Sequence, residues 1–154
     1  MIRIRRIETS HPLYAQAREL AARVVHEREN ERSTHALFVA IKDLPAGERV
    51  VGCLAVRDAG EPGVGAVEWF AVDPQMQGQD LGRRLIADAE TEAFTSLGLE
   101  RLICDAPKRA KAFLTRMGWR EVEGEAARDG VVRMVVAAEP PQNALSGPAD
   151  PTRE

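Results

Sequence analysis

Cysteine is scarce in this chain: Cys53 and Cys104 are the only two in 154 residues. Each lies inside an apolar, strand-like run, and their spacing is not that of metal ligands. They are expected to be buried, reduced thiols of a cytoplasmic protein. Histidine is as sparse, with three scattered residues, so no metal centre is expected. No apolar run approaches the length of a membrane span. The opening Met-Ile-Arg-Ile-Arg-Arg leads into no secretory apolar segment. A strong charge of one sign is also lacking. The formal net charge of -3 argues against a general nucleic-acid surface. Tyr14 is the single tyrosine, which leaves one phenol for any proton transfer.

What is present is enough chain for one domain with a real core. Apolar periodicity persists to Ala137. Beyond it, Pro-Pro-Gln-Asn-Ala-Leu-Ser-Gly-Pro-Ala-Asp-Pro cannot build a core. The expected division is a domain over 1–138 and a disordered tail over 139–154. Ile2 to Ile7 alternates as a half-buried strand. Ser10, His11 and Pro12 look like a helix start, with Leu13, Ala17, Leu20 and Val24 at helical spacing behind them. His26 to Arg32 is almost all charged and reads as a solvated helix or loop.

Three strands follow in a row: Ala36 to Ile41, Val50 to Val56 and Val64 to Val72. Short turn-rich links at 44–48 and 58–63 make them an antiparallel meander. After Val72 a loop leads into a helix whose apolar face is Leu85, Ile86, Ala89, Ala93, Phe94 and Leu97, capped by Gly98. Leu102 to Cys104 is a short strand, parallel to the third meander strand by the crossover rule. Pro107 then opens a helix with Ala110, Phe113, Leu114 and Met117 on one face. Trp119 to Val122 and Val131 to Ala137 close the chain as strands.

The loop between strand and helix organises the rest. Val72-Asp-Pro-Gln-Met-Gln-Gly-Gln-Asp-Leu-Gly-Arg-Arg-Leu85 carries Gly78 and Gly82. Glycine permits positive φ and a close backbone approach by a ligand. The loop feeds the first turn of a helix, where unpaired N–H groups and the dipole favour an anion such as phosphate. Arg83 and Arg84 are unfavourable to the helix at that position and suit a neighbouring anion.

These residues resemble a known family. Val72-x-Pro74, then Gln77-Gly78-x-x-Leu81-Gly82-x-x-Leu85, is similar to the pyrophosphate loop of the GNAT N-acetyltransferases. Ala110-x-x-Phe113-x-x-x-x-Gly118-Trp119 resembles a second segment of that family, and the order of elements agrees across nearly the whole ordered chain. The resemblance implies a GNAT-like α/β fold: a mixed, mostly antiparallel sheet with helices on both faces. It implies acetyl-CoA as co-substrate and a primary amine of a small molecule or peptide as acceptor, and it lays the charged run from His26 to Arg32 over the acceptor site, where part of it would see substrate. It places the cofactor on Phe70, Ala71, Val72, Gln77, Gly78, Gln79, Asp80, Leu81, Gly82, Arg83, Arg84, Ala110 and Phe113. The pantetheine arm would run along the strand ending at Val72, with an N–H near Phe70 to Val72 facing the thioester oxygen. No nucleic acid, membrane or metal enters this picture, and a homodimer stays open.

For the base, the sequence points to Glu68. It stands four residues before Val72, an even spacing that puts both side chains on one face of a regular strand. Val67, Trp69 and Phe70 are expected to desolvate it. A cross-strand pair with an arginine is the structural alternative. Asp105, just past the next strand, is the runner-up base or a cap for the following helix. The acidic residues Glu121, Glu123, Glu125 and Asp129 suggest a rim for a cationic amine or a solvated loop.

Two departures from the family pattern stand out. Its tyrosine, the usual acid for the thiolate, falls at Leu114. Its first loop glycine is Asp80, which either faces the pyrophosphate and repels it, or turns outward with Arg83 and Arg84 offsetting its charge. Both departures favour a rival reading: a catalytically weakened CoA-binding or interaction module of the same fold.

Overall fold

The computed structural model describes residues 2–27, 32–76, 78, 80–124 and 130–139. The expected tail beyond 139, part of the charged run (28–31), and Gln77, Gln79, Glu125 and Asp129 lie outside them.

Strand β1 (Ile2–Ile7) leads to helix α1 (Tyr14–Val24), then to the meander β2 (Thr34–Leu44), β3 (Gly47–Asp58) and β4 (Val64–Val72). A short 3-10 turn at Pro74–Met76 joins β4 to α2 (Leu81–Thr91), which runs into a π-turn at Glu92–Ser96. Then come β5 (Arg101–Pro107), a 3-10 turn (Lys108–Ala110), α3 (Lys111–Arg116), β6 (Arg120–Glu121) and β7 (Val131–Ala137). The seven strands form one sheet in the order β1-β2-β3-β4-β5-β7-β6. Every neighbouring pair is antiparallel except β4 and β5.

Helices cover both faces because both faces are apolar. On one, Ala17, Leu20 and Ala21 of α1 pack on Leu37, Val39, Cys53 and Ala55. On the other, Leu85, Ile86 and Ala89 of α2 and Leu114 of α3 pack on Phe38, Leu54, Val56, Leu102 and Met134. β3, the central meander strand, is therefore buried on both sides from Val50 to Arg57.

Several boundaries differ from the sequence reading, three of them around β5 and α2. β5 continues through Asp105 to Pro107, because Asp105 pairs across the ladder with Arg133 and so tolerates the strand. Pro107 ends that strand rather than opening a helix. Helix α2 gives way to the π-turn, where Leu97 N–H reaches Glu92 C=O at 3.0 Å. Gly98 then reverses the chain with φ 67°.

Gly65 marks where β4 and β5 approach. A Cβ there would meet Leu99 Cδ1 at 2.8 Å and Leu102 Cδ2 at 2.9 Å, so any larger residue would force those side chains to shift.

Candidate active site

β4 and β5 pair over three partners, Val64 to Ala66 with Arg101 to Ile103. Beyond that point the strands part. A cavity of about 690 Å³ occupies the opening. β4 lines it with Val67, Glu68, Phe70, Ala71 and Val72, and β5 with Cys104 to Pro107. Arg109, Ala110, Phe113 and Leu114 close one side, and Val24 to Glu27, the chain leaving α1, close another. The space is of the size that small-molecule sites take.

A bulge in β4 shapes its floor. Cys53 faces Ala71 while Ala55 faces Glu68, so one residue on β3 opposes two on β4. Trp69 takes the bulged position with φ 56°. Its carbonyl accepts from the Cys53 thiol at 3.1 Å and its N–H donates to Glu27 Oε1 at 2.7 Å. Further along, the Asp73 N–H donates to Val51 C=O at 2.9 Å. Strand alternation then turns the N–H of Val72 toward the open edge, where β5 has departed.

The bulge also overturns the same-face relation expected of Glu68 and Val72. Val67, Phe70 and Val72 pack toward α2, whereas Trp69 and Ala71 pack toward α1. The period of two is lost at Trp69. Glu68 lies beside Ala55 on the α1 side, where its two oxygens meet Arg57 Nε and Arg32 at 3.1 Å each. The expected apolar surroundings are thus replaced by two guanidiniums. The cross-strand arginine pair is what forms.

At the other end of the opening lies the first turn of α2. Its first intrahelical bond is Arg84 N–H to Asp80 C=O at 3.2 Å, which leaves the N–H groups of Leu81, Gly82 and Arg83 without an intrahelical acceptor. Asp80 adopts the left-handed region, φ 64°, and its side chain makes no capping bond to the helix. It grips Arg83 instead, with Arg83 Nε 2.9 and 3.1 Å from its two oxygens. That hydrogen bond holds its carboxyl below the usual carboxylate range. The amides therefore stay open, as the outward orientation required. Gly78, also left-handed at φ 86°, completes the turn. Arg84 reaches back to the Ile2 carbonyl at 3.4 Å. A Cβ on Gly82 would point at the Phe113 and Phe70 rings, 3.6 and 3.7 Å away. Those rings stand 6.2 Å apart, centre to centre, at the mouth of the cavity.

Asp105 does not cap a helix: it forms a two-point pair with Arg133 at 2.8 and 2.9 Å. Glu121 pairs with Lys111 at 2.7 Å. Leu114, where the family resemblance puts a tyrosine, is a core residue 1% exposed. Cys104 lines the cavity, and burial, followed by the charges of Glu27, Asp105 and Glu68, pushes its thiol up to about 12. That favours an inert thiol over a nucleophile. Glu27 also lines the cavity, and the sequence does not single it out. It sits in a run so uniformly charged that no periodicity marks one member.

The profile of the acetyltransferase (GNAT) family matches residues 2–119. The chain belongs to the GNAT acetyltransferase family. Its fold recurs in solved structures at identities too low to carry more than the fold. An IAA acetyltransferase from Bacillus cereus is 18% identical, with TM-score 0.66, over 90% of this chain and all of that one (100%). Rv2747 from Mycobacterium tuberculosis, solved with CoA, is 20% identical, with TM-score 0.68, over 89% and 99% of the two chains. N-acetylglutamate synthase from Neisseria gonorrhoeae, solved with coenzyme A and N-acetyl-glutamate, is 15% identical, with TM-score 0.69, over 91% of this chain and 36% of that one. No curated relative matches the chain. Among the described residues, no helix of this GNAT chain is long and apolar enough to cross a membrane.

Proposed function

We propose that this GNAT chain transfers the acetyl group of acetyl-CoA to a primary amine of a small molecule or peptide in the cytoplasm. The observation that carries the reading is the continuity of two features: the uncapped first turn of α2 and the cavity between the parted strands. In this reading the pyrophosphate rests on the amides from Gly78 to Arg83, with Gln77 and Gln79 in the same loop. Leu81 anchors that turn in the core, while Arg84 and, once released from Asp80, Arg83 face the phosphates. The pantetheine arm passes Gly82, Ala110, Phe113 and Phe70 and lies along Ala71 and Val72. The Val72 N–H faces the thioester oxygen, where negative charge grows in the transition state. Acetyl-CoA supplies the acyl group. The chain binds, orients and excludes water.

Glu68 belongs to this site as the carboxylate that holds Arg57 and Arg32 on the cavity floor. With Leu114 in place of a phenol, water protonates the departing thiolate. Its parent pKa, near ~8.5 for a thiol, lets it leave without strong assistance.

The buried Leu114 favours one rival, a CoA-binding module without catalysis. Calorimetric titration with acetyl-CoA tests the shared part of both readings. Binding should be seen, and Gly82→Asp, which sets a carboxylate between the two rings beside the phosphates, should abolish it. Equal affinity in that variant contradicts the placement. Turnover separates the two readings.

A further inference from the structure

We propose that Glu27 is the carboxylate that receives the ammonium group of the acceptor and takes its proton. The inference rests on the acetyltransferase reading and deepens it, because it says which group meets the amine and from which side.

The cavity has two approaches. The α2 end, with Val72, Gly82 and Phe113, suits the cofactor. The opposite wall is the chain leaving α1, where Val24 and Val25 present apolar side chains and Glu27 the charged one. Glu27 is anchored there twice. Its own N–H donates to Ala21 C=O at 3.2 Å, which folds the end of α1 back on itself. Its Oε1 accepts the Trp69 N–H at 2.7 Å, which fixes the carboxylate on the bulge. Beyond the same bulge, strand alternation turns the Val72 N–H to the opening.

The position is central as well as anchored. The charge of Glu27 helps raise the thiols of both Cys53 and Cys104. Cys53 packs on the α1 face of the sheet and Cys104 on the α2–α3 face. Its hydrogen bond to the Trp69 N–H sets the carboxylate against β4 in the wall of the cavity. Glu68, by comparison, lies on the α1 side between Arg57 and Arg32.

The chemistry balances without another reactant. An alkyl ammonium gives one proton to the Glu27 carboxylate. The neutral nitrogen attacks the thioester carbonyl, and a C–N bond forms. The C–S bond breaks and CoA leaves as thiolate. The second proton, lost from nitrogen as the amide forms, neutralises that thiolate through water. Glu27 returns its proton to solvent.

Glu27→Gln separates this role from a structural one, because the amide oxygen still accepts the Trp69 N–H. The probe is a panel of primary amines (simple alkylamines, amino acids, polyamines and lysine peptides) with release of CoA thiol as the readout. For the amine the wild type uses, kcat/KM should fall about 10²-fold in Glu27→Gln, with acetyl-CoA affinity unchanged by calorimetry. The pH profile should change too. Without the base the rate should climb about tenfold per pH unit toward the amine's own pKa near ~10.4, so the deficit shrinks at high pH. If Glu27→Gln retains kcat/KM and profile, the assignment of Glu27 is overturned while the transferase reading stands. If the wild type binds acetyl-CoA and releases CoA with no amine, the transferase reading falls and takes the assignment with it.

Discussion

The Arg57 guanidinium stands 4.6 Å from the centre of the Trp69 ring, and the arginine is only 4% exposed. Its Nε lies 3.1 Å from Glu68 but outside hydrogen-bond alignment, while another of its nitrogens donates to Thr34 at 2.5 Å. One buried cation thus holds the bulged residue, the carboxylate before it and the start of β2.

Replacing that cation tests its weight. Arg57→Met keeps the volume and removes the charge. Losing a stacked cation is worth about 0.5–2 kcal/mol. Stranding a buried partner costs about 3–5 kcal/mol, reduced here because Arg32 remains on Glu68. A net loss of about 1–3 kcal/mol is expected, read as a lower urea midpoint with unchanged slope. An unchanged midpoint shows that the bulge holds without Arg57.

How far the sequence led differs from residue to residue. β4 was legible to its ends because an apolar run lies between Gly63 and Asp73-Pro74. Its bulge was not, since nothing in Val67-Glu-Trp-Phe-Ala71 announces a tryptophan at positive φ. The misplacement of Glu68 follows directly, because face arguments assume an unbroken period of two. Asp105 was read as lying past its strand because a lone carboxylate is poor in a ladder. Its compensation, Arg133, is 28 residues away. The Asp80 substitution was visible, and the structure adds that its site is left-handed, which a glycine fills without strain and an aspartate tolerates.

Asp80→Gly follows from that geometry. It relieves the left-handed strain, frees Arg83 and removes a negative charge beside the phosphates. Acetyl-CoA should bind at least as tightly as to the wild type by calorimetry. A large loss of affinity means that the Asp80–Arg83 grip supports the loop.

Asp73 governs the acid side of stability. Its Oδ1 accepts the Gln75 N–H at 3.0 Å and its Oδ2 pairs with Arg49 at 2.7 Å, in a side chain 6% exposed. The backbone hydrogen bond, and then Arg49, hold its carboxyl below the usual range. The folded state therefore binds this proton less readily than the unfolded chain. The stabilisation is complete above the unfolded carboxylate value near ~3.9 and is lost as pH falls through the lower folded value. Asp73→Asn should flatten the acid limb of the stability profile and cost about 1–2 kcal/mol at neutral pH. An unaltered limb assigns that dependence to other carboxylates.

Cys104 should be a bystander. A thiol at about 12 is almost wholly protonated at pH 8. Iodoacetamide should leave it unmodified in the native protein, and Cys104→Ala should keep kcat within about threefold. Rapid native alkylation, or an inactive but folded Cys104→Ala, makes the thiol part of the chemistry.

The central claim is acetyl transfer, and product analysis by mass spectrometry addresses it most directly. The wild-type protein is incubated with acetyl-CoA and the amine panel, and acetylated amine is quantified beside free CoA. The account predicts that at least one primary amine gains an acetyl group in equal amount to the CoA released. Tight acetyl-CoA binding with no acetylated amine at any pH from neutral upward contradicts it.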